Sequence, residues 1–195
     1  GGGSAGGGEG ALVENTAPAA TAEDAAAAQT LKDEGNRRFV AKDFAGAALS
    51  YGRAIQLDGA DAAFFSNRSA CWIELAKMAP TAAAAGAAAG VEAAPGVEGG
   101  AAGAGSGGLS PGLLADQGLL LRRALADAEQ CRLLRPDWPK ACFRQAAARL
   151  AMGRHEDAAV SAFEGLKLSP EDKVLKRLMK EAVDKGREEH LKRNA

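Results

Sequence analysis

Five polar side chains recur in this sequence at spacings that would place them along one groove. They are two lysines, one arginine and two asparagines: Lys32, Asn36, Asn67, Lys140 and Arg144. Positions 32 and 36 are four residues apart, as are positions 140 and 144, so each pair would lie one turn apart on one face of a helix. Ammonium, guanidinium and amide groups that converge favour a ligand with several acceptor oxygens. A chain-terminal carboxylate with an acidic side chain beside it fits this set best.

Repeated helix-turn-helix units are the elements that must bring these residues together. Small and apolar residues recur with a period near that of helical repeats, about 34 residues, which is typical of a solenoid. Ala124 and Pro136 occupy the same positions in one unit as Ala158 and Pro170 in the next. The pattern predicts an all-α solenoid of three repeats. The five polar residues would then lie on the first helix of each repeat, and the first helices line the concave surface.

Helical periodicity and turn residues predict seven helices. We expect them at about 22–41, 44–57, 61–78, 119–134, 139–152, 155–168 and from Pro170 onward. Ser169 is the predicted N-cap of the last helix. An apolar stripe between Val174 and Val183 predicts that this helix caps the third repeat. Its interleaved acidic and basic residues are typical of a solvated face, and a membrane or partner surface is the alternative.

Two stretches have a composition that does not support a packed core. Residues 1–21 are rich in Gly and Ala and are predicted to form a disordered tail, so the domain is predicted to span 22–194. A second Ala/Gly-rich stretch at about 79–118 interrupts the middle repeat. Because such a segment buries little apolar surface to offset its ordering entropy, we expect a solvated loop. An ordered lid over the groove is the alternative.

The charge balance and the apolar pattern exclude several classes of partner. The 195 residues carry 24 basic and 25 acidic side chains, a net charge of −1, which argues against a nucleic-acid partner. No run of about 18 apolar residues and no apolar signal core is present, so we expect neither membrane insertion nor secretion. The sequence therefore predicts a cytoplasmic protein. Because it begins with Gly, we expect it to be part of a longer chain.

Cysteine and histidine residues do not form a recognisable reactive set. Cys71, Cys131 and Cys142 do not have the spacing of a zinc site, and we expect them to be small packing residues in a reducing compartment. His155 is predicted to lie at the surface or to pack at an edge. Neither it nor His190 has a nucleophile and a carboxylate arranged around it. The sequence predicts no catalytic residue, no metal site and no cofactor.

Three segments carry a family resemblance: LKDEGN at 31–36, FSNRSA at 65–70 and RPDWPKACFR at 135–144. They resemble the tetratricopeptide-repeat (TPR) domains of the carboxylate-clamp type, found in co-chaperones that bind heat-shock chaperones of the 70 and 90 kDa classes. The resemblance covers about 22–191 apart from the insert. It implies that Lys32, Asn36 and Asn67 hold a peptide's terminal carboxylate. It also implies that Lys140 and Arg144 engage the acidic side chains and backbone of a Glu-Glu-Val-Asp (EEVD) tail.

Apolar residues one turn further along the same helices would complete the groove. Phe39, Ala70 and Ile73 would receive the aliphatic residue of the tail, and plain packing between helices is the alternative. The longer runs at 66–73, 124–128 and 136–142 also look like the C-terminal repeat domain of green-lineage proteins that carry ankyrin repeats upstream. The Ala/Gly-rich insert departs from that pattern.

These observations predict a non-enzymatic adaptor that recognises the acidic C-terminal tail of a heat-shock chaperone of the 70 or 90 kDa class. Two alternatives remain open. The domain could be a scaffold that binds an unrelated partner through its convex face or its insert. It could also be the targeting module of a longer enzyme, such as a prolyl isomerase or a phosphatase.

Overall fold

The computed structural model describes residues 20–79 and 109–194. Within these ranges the chain forms helices and no strands, which confirms the all-α prediction. The helices are α1 Ala22–Val40, α2 Phe44–Leu57, α3 Ala62–Met78, α4 Pro111–Ala115, α5 Gln117–Leu134, α6 Pro139–Ala151, α7 His155–Leu168 and α8 Lys173–Arg193.

The helices pack in the order of the chain, as a solenoid requires. Three helix-turn-helix pairs are present, α1 with α2, α3 with α5, and α6 with α7, and each pair also packs against the next. The first helices of neighbouring units touch as well, because α6 contacts both α3 and α8. The predicted three-repeat solenoid with a C-terminal capping helix is therefore confirmed.

Small residues at the helix crossings let these helices approach closely. Ten alanines of the described residues are fully buried: Ala28, Ala47, Ala54, Ala124, Ala128, Ala141, Ala146, Ala148, Ala158 and Ala162. Gly35 and Gly165 serve the same purpose. A Cβ atom at Gly35 would lie 2.6 Å from the ring of Tyr51, and one at Gly165 would lie 2.8 Å from Leu175. Close packing of this kind leaves no room for larger side chains at these positions.

Aspartate residues are the N-caps of several helices. Their side chains accept hydrogen bonds from backbone N–H groups that have no partner within the helix. Asp43 accepts from Gly46 at 2.9 Å and Asp116 accepts from Leu119 at 2.8 Å. Thr21 and Asp24 form a reciprocal capping box at the start of α1. Each such cap stabilises its helix by about 1 kcal/mol.

The predicted N-cap of the last helix is wrong. Ser169 precedes Pro170 and is held in an extended conformation, with φ −141° and ψ 84°, because the proline ring disfavours the helical conformation of the residue before it. The Ser169 carbonyl instead accepts from the N–H of Asp172 at 3.2 Å, which closes a turn. Asp172 caps α8 by accepting from Val174 and Leu175 at 2.8 and 3.0 Å.

The C-terminal end of the predicted insert, which was expected at about 79–118, lies within the described residues. Residues 1–19 of the predicted tail and 80–108 of the predicted insert lie outside the described residues. Residues 109–118 contain α4, which is capped by Ser110, and Leu113 is only 9% exposed against the core. The Gln117 side chain donates to the carbonyl of Ala76 at 3.1 Å. Large apolar residues at this end of the Ala/Gly-rich stretch therefore make it part of the packed domain.

Candidate binding groove

An open cleft of about 300 Å³ lies between the first helices of the three repeats. It is lined by Asn36, Phe39, Val40, Tyr51, Asn67, Ala70 and Arg144. We call it the polar cleft, since α1, α3 and α6 each supply one long polar side chain to it. The structure thus brings together three of the five predicted polar residues, from helices that are distant in sequence.

A chain of polar contacts links these side chains across the cleft. The Tyr51 hydroxyl donates to Oδ1 of Asn36 at 2.8 Å, and Nδ2 of Asn67 lies 3.4 Å from the same oxygen. The Lys140 ammonium lies 3.5 Å from Oδ1 of Asn67. The last two separations are long for hydrogen bonds and show proximity more than bond strength. Lys140 therefore belongs to the same polar group as the cleft residues.

Arg144 and Lys140 form a pair of cations that is partly withdrawn from water. Burial lowers the pKa of Arg144. Burial also lowers the pKa of Lys140, and the nearby Arg144 charge lowers it further. Among the ion pairs formed by the described residues, none involves either side chain. Two partly desolvated cations without a carboxylate partner create a site that favours an anionic ligand.

Lys32 stands apart from the other four residues. It lies on α1 one turn before Asn36, but its ammonium donates to the side-chain oxygen of Gln29 on the same helix. Gln29 in turn donates to Asp61 at 3.3 Å. The structure therefore places Lys32 beside the polar cleft and not in its lining.

Aromatic rings flank the two cations, and sequence reasoning did not include them in the site. The Lys140 ammonium lies 5.4 Å from the ring centroid of Trp138, and the Arg144 guanidinium lies 5.3 Å from that of Phe143. Such contacts stabilise a cation by about 0.5–1 kcal/mol. Both rings adjoin the predicted cations in sequence, and this adjacency was the signal that could have identified them. Tyr51 was missed because it lies on a second helix.

The predicted apolar residues divide between two cavities. Phe39 and Ala70 line the polar cleft. Ile73 does not. It lines a second open cavity, of about 360 Å³, together with Ala147, Leu150 and other residues of α3, α5, α6 and α8. The structure therefore does not bring Ile73 together with Phe39 and Ala70 in one cavity.

The remaining candidate groups are packing residues. All three cysteines are free and buried. Burial raises the pKa of Cys71 to about 12 and that of Cys131 to about 11, which keeps both thiols protonated. His155 packs at an edge between α7 and α8, where its side chain is 9% exposed and its Nε2 lies 3.0 Å from Glu189. In the part of the chain that the structure describes, no group of His, Cys, Asp and Glu could hold a metal ion. None of the described helices combines the length and the apolar character that a membrane span requires.

Comparison with known proteins identifies relatives with repeats of this kind. No protein-family model matches the sequence. The chain is 28% identical over 160 residues to a protein STIP1 homolog of Dictyostelium discoideum, which covers 82% of this chain and 21% of the relative. It is 27% identical over 155 residues to a small glutamine-rich tetratricopeptide repeat-containing protein of Mycosarcoma maydis, which covers 80% of this chain and 32% of the relative. The chain thus spans a third or less of the length of these relatives.

Solved structures share the arrangement of helices. The first TPR domain of Spaghetti (RPAP3), bound to the HSP90 peptide SRMEEVD, superimposes with a TM-score of 0.58 at 18% identity, covering 82% of this chain and 93% of the other. The TPR2B domain of yeast Sti1, in complex with an Hsp70 peptide, gives 0.56 at 18% identity, covering 82% of this chain and 98% of the other. The repeats, their order and these likenesses show that the described residues have the fold of a TPR domain.

Proposed function

We propose that this chain is a non-enzymatic, cytoplasmic adaptor that binds the acidic C-terminal tail of heat-shock chaperones of the 70 and 90 kDa classes. The tail would be of the EEVD type and would lie extended along the concave surface. Its terminal carboxylate would lie in the polar cleft against Asn36 and Asn67, with Lys32 at the edge. Lys140 and Arg144 would engage the acidic side chains and the backbone of the tail.

The observation that carries this proposal is the pair of cations beside the two amides. Lys140 and Arg144 are partly desolvated and lack a carboxylate among their described ion pairs, so an anion that enters the cleft would gain charge-assisted hydrogen bonds. Phe39 and Ala70 line the same cleft and would accept an aliphatic side chain next to the anion. A terminal carboxylate preceded by a valine has this combination of groups.

The comparisons support the choice of ligand. The two solved TPR domains described above share this fold, and one is bound to an HSP90 peptide and the other to an Hsp70 peptide. The finer resemblance, to repeat domains that follow ankyrin repeats in green-lineage proteins, would add recognition of a second partner by sequence upstream of this chain.

A short peptide held in this way is expected to bind with a dissociation constant in the micromolar range, about −8 kcal/mol. The binding free energy should weaken as salt concentration rises, because the cleft is open and its charges are only partly shielded from ions. The chain would therefore recruit a chaperone reversibly.

Charge reversal at the two cations tests the proposal. The double variant Lys140→Glu and Arg144→Glu should abolish binding of an EEVD peptide while helical circular dichroism is retained, because neither side chain is part of the apolar core. Lys176→Glu is the matched control, since Lys176 lies on α8 and pairs with exposed Glu171 at 3.0 Å. Binding that survives the double reversal, or that is lost equally in the control, would count against the proposal.

A further inference from the structure

We propose that Tyr51 is a positioning residue for the polar cleft. Its buried hydroxyl holds the Asn36 amide so that the N–H groups of that amide face the ligand. This inference rests on the proposed function of the polar cleft. Tyr51 lies on α2, behind the groove, and is only 2% exposed, yet its ring and hydroxyl reach the cleft lining between Asn36 and Asn67. It would act on the ligand through Asn36.

The polarity of the contact chain can be deduced from one end. The Lys140 ammonium can only donate, so the side of the Asn67 amide that faces it must be the oxygen. The Asn67 amide nitrogen then faces Asn36, and the group that it meets must again be an oxygen. The two contacts are long, at 3.5 and 3.4 Å, so the Lys140 charge favours this orientation of the two amides without holding it rigidly.

At the other end of the chain, the same oxygen of Asn36 meets the Tyr51 hydroxyl at 2.8 Å. Because the Asn36 oxygen can only accept, the Tyr51 hydroxyl must be the donor in this hydrogen bond. Burial raises the pKa of Tyr51 to about 12, so the hydroxyl keeps its proton at neutral pH. The carbonyl oxygen of an amide has two acceptor sites; Tyr51 occupies one at 2.8 Å, and Nδ2 of Asn67 lies 3.4 Å away on the side of the other.

What remains available to a ligand is then a set of donors. Both N–H groups of Asn36 have no partner among the hydrogen bonds of the described side chains. These groups would donate to the two oxygens of a terminal carboxylate, which is an acceptor only. If the Asn36 amide were to rotate, its oxygen would face the carboxylate and repel it.

The position of the hydroxyl is itself fixed by packing. Gly35, the neighbour of Asn36, leaves the space that the Tyr51 ring occupies, because a Cβ atom there would overlap the ring at 2.6 Å. The ring also belongs to the main apolar cluster of the solenoid. The hydroxyl therefore points at Asn36 from a rigid base, and ligand binding need not order it.

The test compares Tyr51→Phe with Ser50→Ala. Each variant loses one buried hydroxyl from α2, but the Ser50 hydroxyl donates to the Gly46 carbonyl at 3.1 Å, within its own helix. The quantity measured is the ratio of dissociation constants for an EEVD peptide with a C-terminal amide and for the same peptide as the free acid. Tyr51→Phe should lower that ratio by about three- to tenfold, the value of one hydrogen bond, and Ser50→Ala should leave it at the wild-type value.

The outcomes separate this inference from the proposed function. A wild-type ratio of one overturns the proposed function and the inference with it. A wild-type ratio well above one, together with the same ratio in Tyr51→Phe, overturns the inference alone. Equal weakening of both peptides by Tyr51→Phe also overturns it, because the hydroxyl would then support only the fold.

A second measurement covers the case in which Tyr51→Phe does not fold. Tyr51 is the only tyrosine of the sequence, so incorporation of 3-fluorotyrosine labels this ring alone. The fluorine resonance should move when the free-acid peptide is added, and it should move much less with the amide peptide. A resonance that responds equally to both peptides, or to neither, overturns the inference.

Discussion

Lys140 and Arg144, for which we propose a binding role, lie in an unfavourable electrostatic setting in the free protein. The folded state keeps Lys140 and Arg144 close together and partly out of water, which disfavours their charged forms, as the lowered pKa of each shows. Charged groups held in this way without a counter-ion are typical of binding sites, where stability is given up for recognition.

Lys140→Met therefore should weaken binding of the EEVD peptide at least tenfold without lowering the free energy of unfolding. We expect that free energy to be unchanged or to rise by up to about 1 kcal/mol, since the relief of charge burial is offset by the lost contact with Trp138. Because the pKa of Lys140 is lowered in the folded state, its unfavourable effect is fully present at neutral pH and is lost as pH rises toward the ordinary value of 10.5. Urea unfolding at pH 7 and pH 10 measures this. A variant clearly less stable than the wild type at pH 7 would contradict the electrostatic explanation.

Residue types and spacing were sufficient to predict that four of the five polar side chains lie close together, and their role in binding stays a prediction. Asn36, Asn67, Lys140 and Arg144 converge because positions four apart share a helix face and equivalent positions of repeats lie side by side. The spacing could not show that the Lys32 ammonium donates to Gln29, because a repeat pattern does not determine side-chain conformation.

At the scale of helices, a buried ion pair joins the two helices of the middle repeat. Asp127 of α5 is 6% exposed and accepts two hydrogen bonds from Arg68 of α3, at 2.8 and 2.7 Å. The indole N–H of Trp72 donates to the same carboxylate at 3.0 Å. This network joins α3 to α5, which are far apart in the sequence, and fixes how the two helices pack together.

Asp127→Asn should lower the free energy of unfolding by about 2–4 kcal/mol, because it leaves Arg68 without its buried counter-ion. Glu181→Gln is the matched control, since Glu181 pairs with Lys185 at 2.9 Å on the surface of α8 and should cost less than about 1 kcal/mol. Urea denaturation followed by circular dichroism measures both. Similar values for the two variants would show that the buried network does not stabilise this repeat.

The turn between α6 and α7 gives a second prediction at this scale. Gly153 has φ +75°, in the left-handed region that disfavours side chains, and nothing lies within 4 Å of a Cβ atom placed there. Gly153→Ala should therefore destabilise the fold by about 1–2 kcal/mol through backbone conformation alone. Gly112→Ala is the control, because that glycine also has open space but lacks a positive φ. Thermal unfolding should show a loss for position 153 only.

Local signals explain why most helix boundaries were predicted and some were not. Caps such as Asp43 and the helical periodicity act over a few residues, so the sequence is enough to place these helices. The helix α8 begins at Lys173, later than the predicted start near Pro170, because Pro170 lies in a turn that is closed by the Asp172 N–H and the Ser169 carbonyl. The short helix α4 was not predicted, because the composition of the whole Ala/Gly-rich stretch does not reflect the apolar residue Leu113 near its end.

At the scale of the whole molecule, the buried apolar residues that the structure describes form four clusters along the solenoid, and one of them lies under α8. Leu175 and Leu178 of α8 pack on the third repeat, as the apolar stripe predicted. Each buried cysteine lies on one of the helices of the solenoid, on α3, α5 and α6. Their thiols therefore report on opening of the whole domain.

All three thiols should react with a thiol reagent at pH 8 far more slowly in the folded protein than in denaturant. Burial excludes the reagent, and the raised pKa of Cys71, Cys131 and Cys142 leaves little thiolate. The time course of absorbance with an aromatic disulfide reagent measures this. One cysteine that reacts in the native protein at the rate of a free thiol would show that the repeats open locally.

The most direct measurement is a calorimetric titration of the wild-type chain with an EEVD peptide, as the free acid and as the C-terminal amide. If the polar cleft grips a chain-terminal carboxylate, the free acid binds with a micromolar dissociation constant and the amide at least about tenfold more weakly. Equal affinities for the two peptides, or no binding of the free acid, would mean that the converging cations and amides do not form a carboxylate clamp.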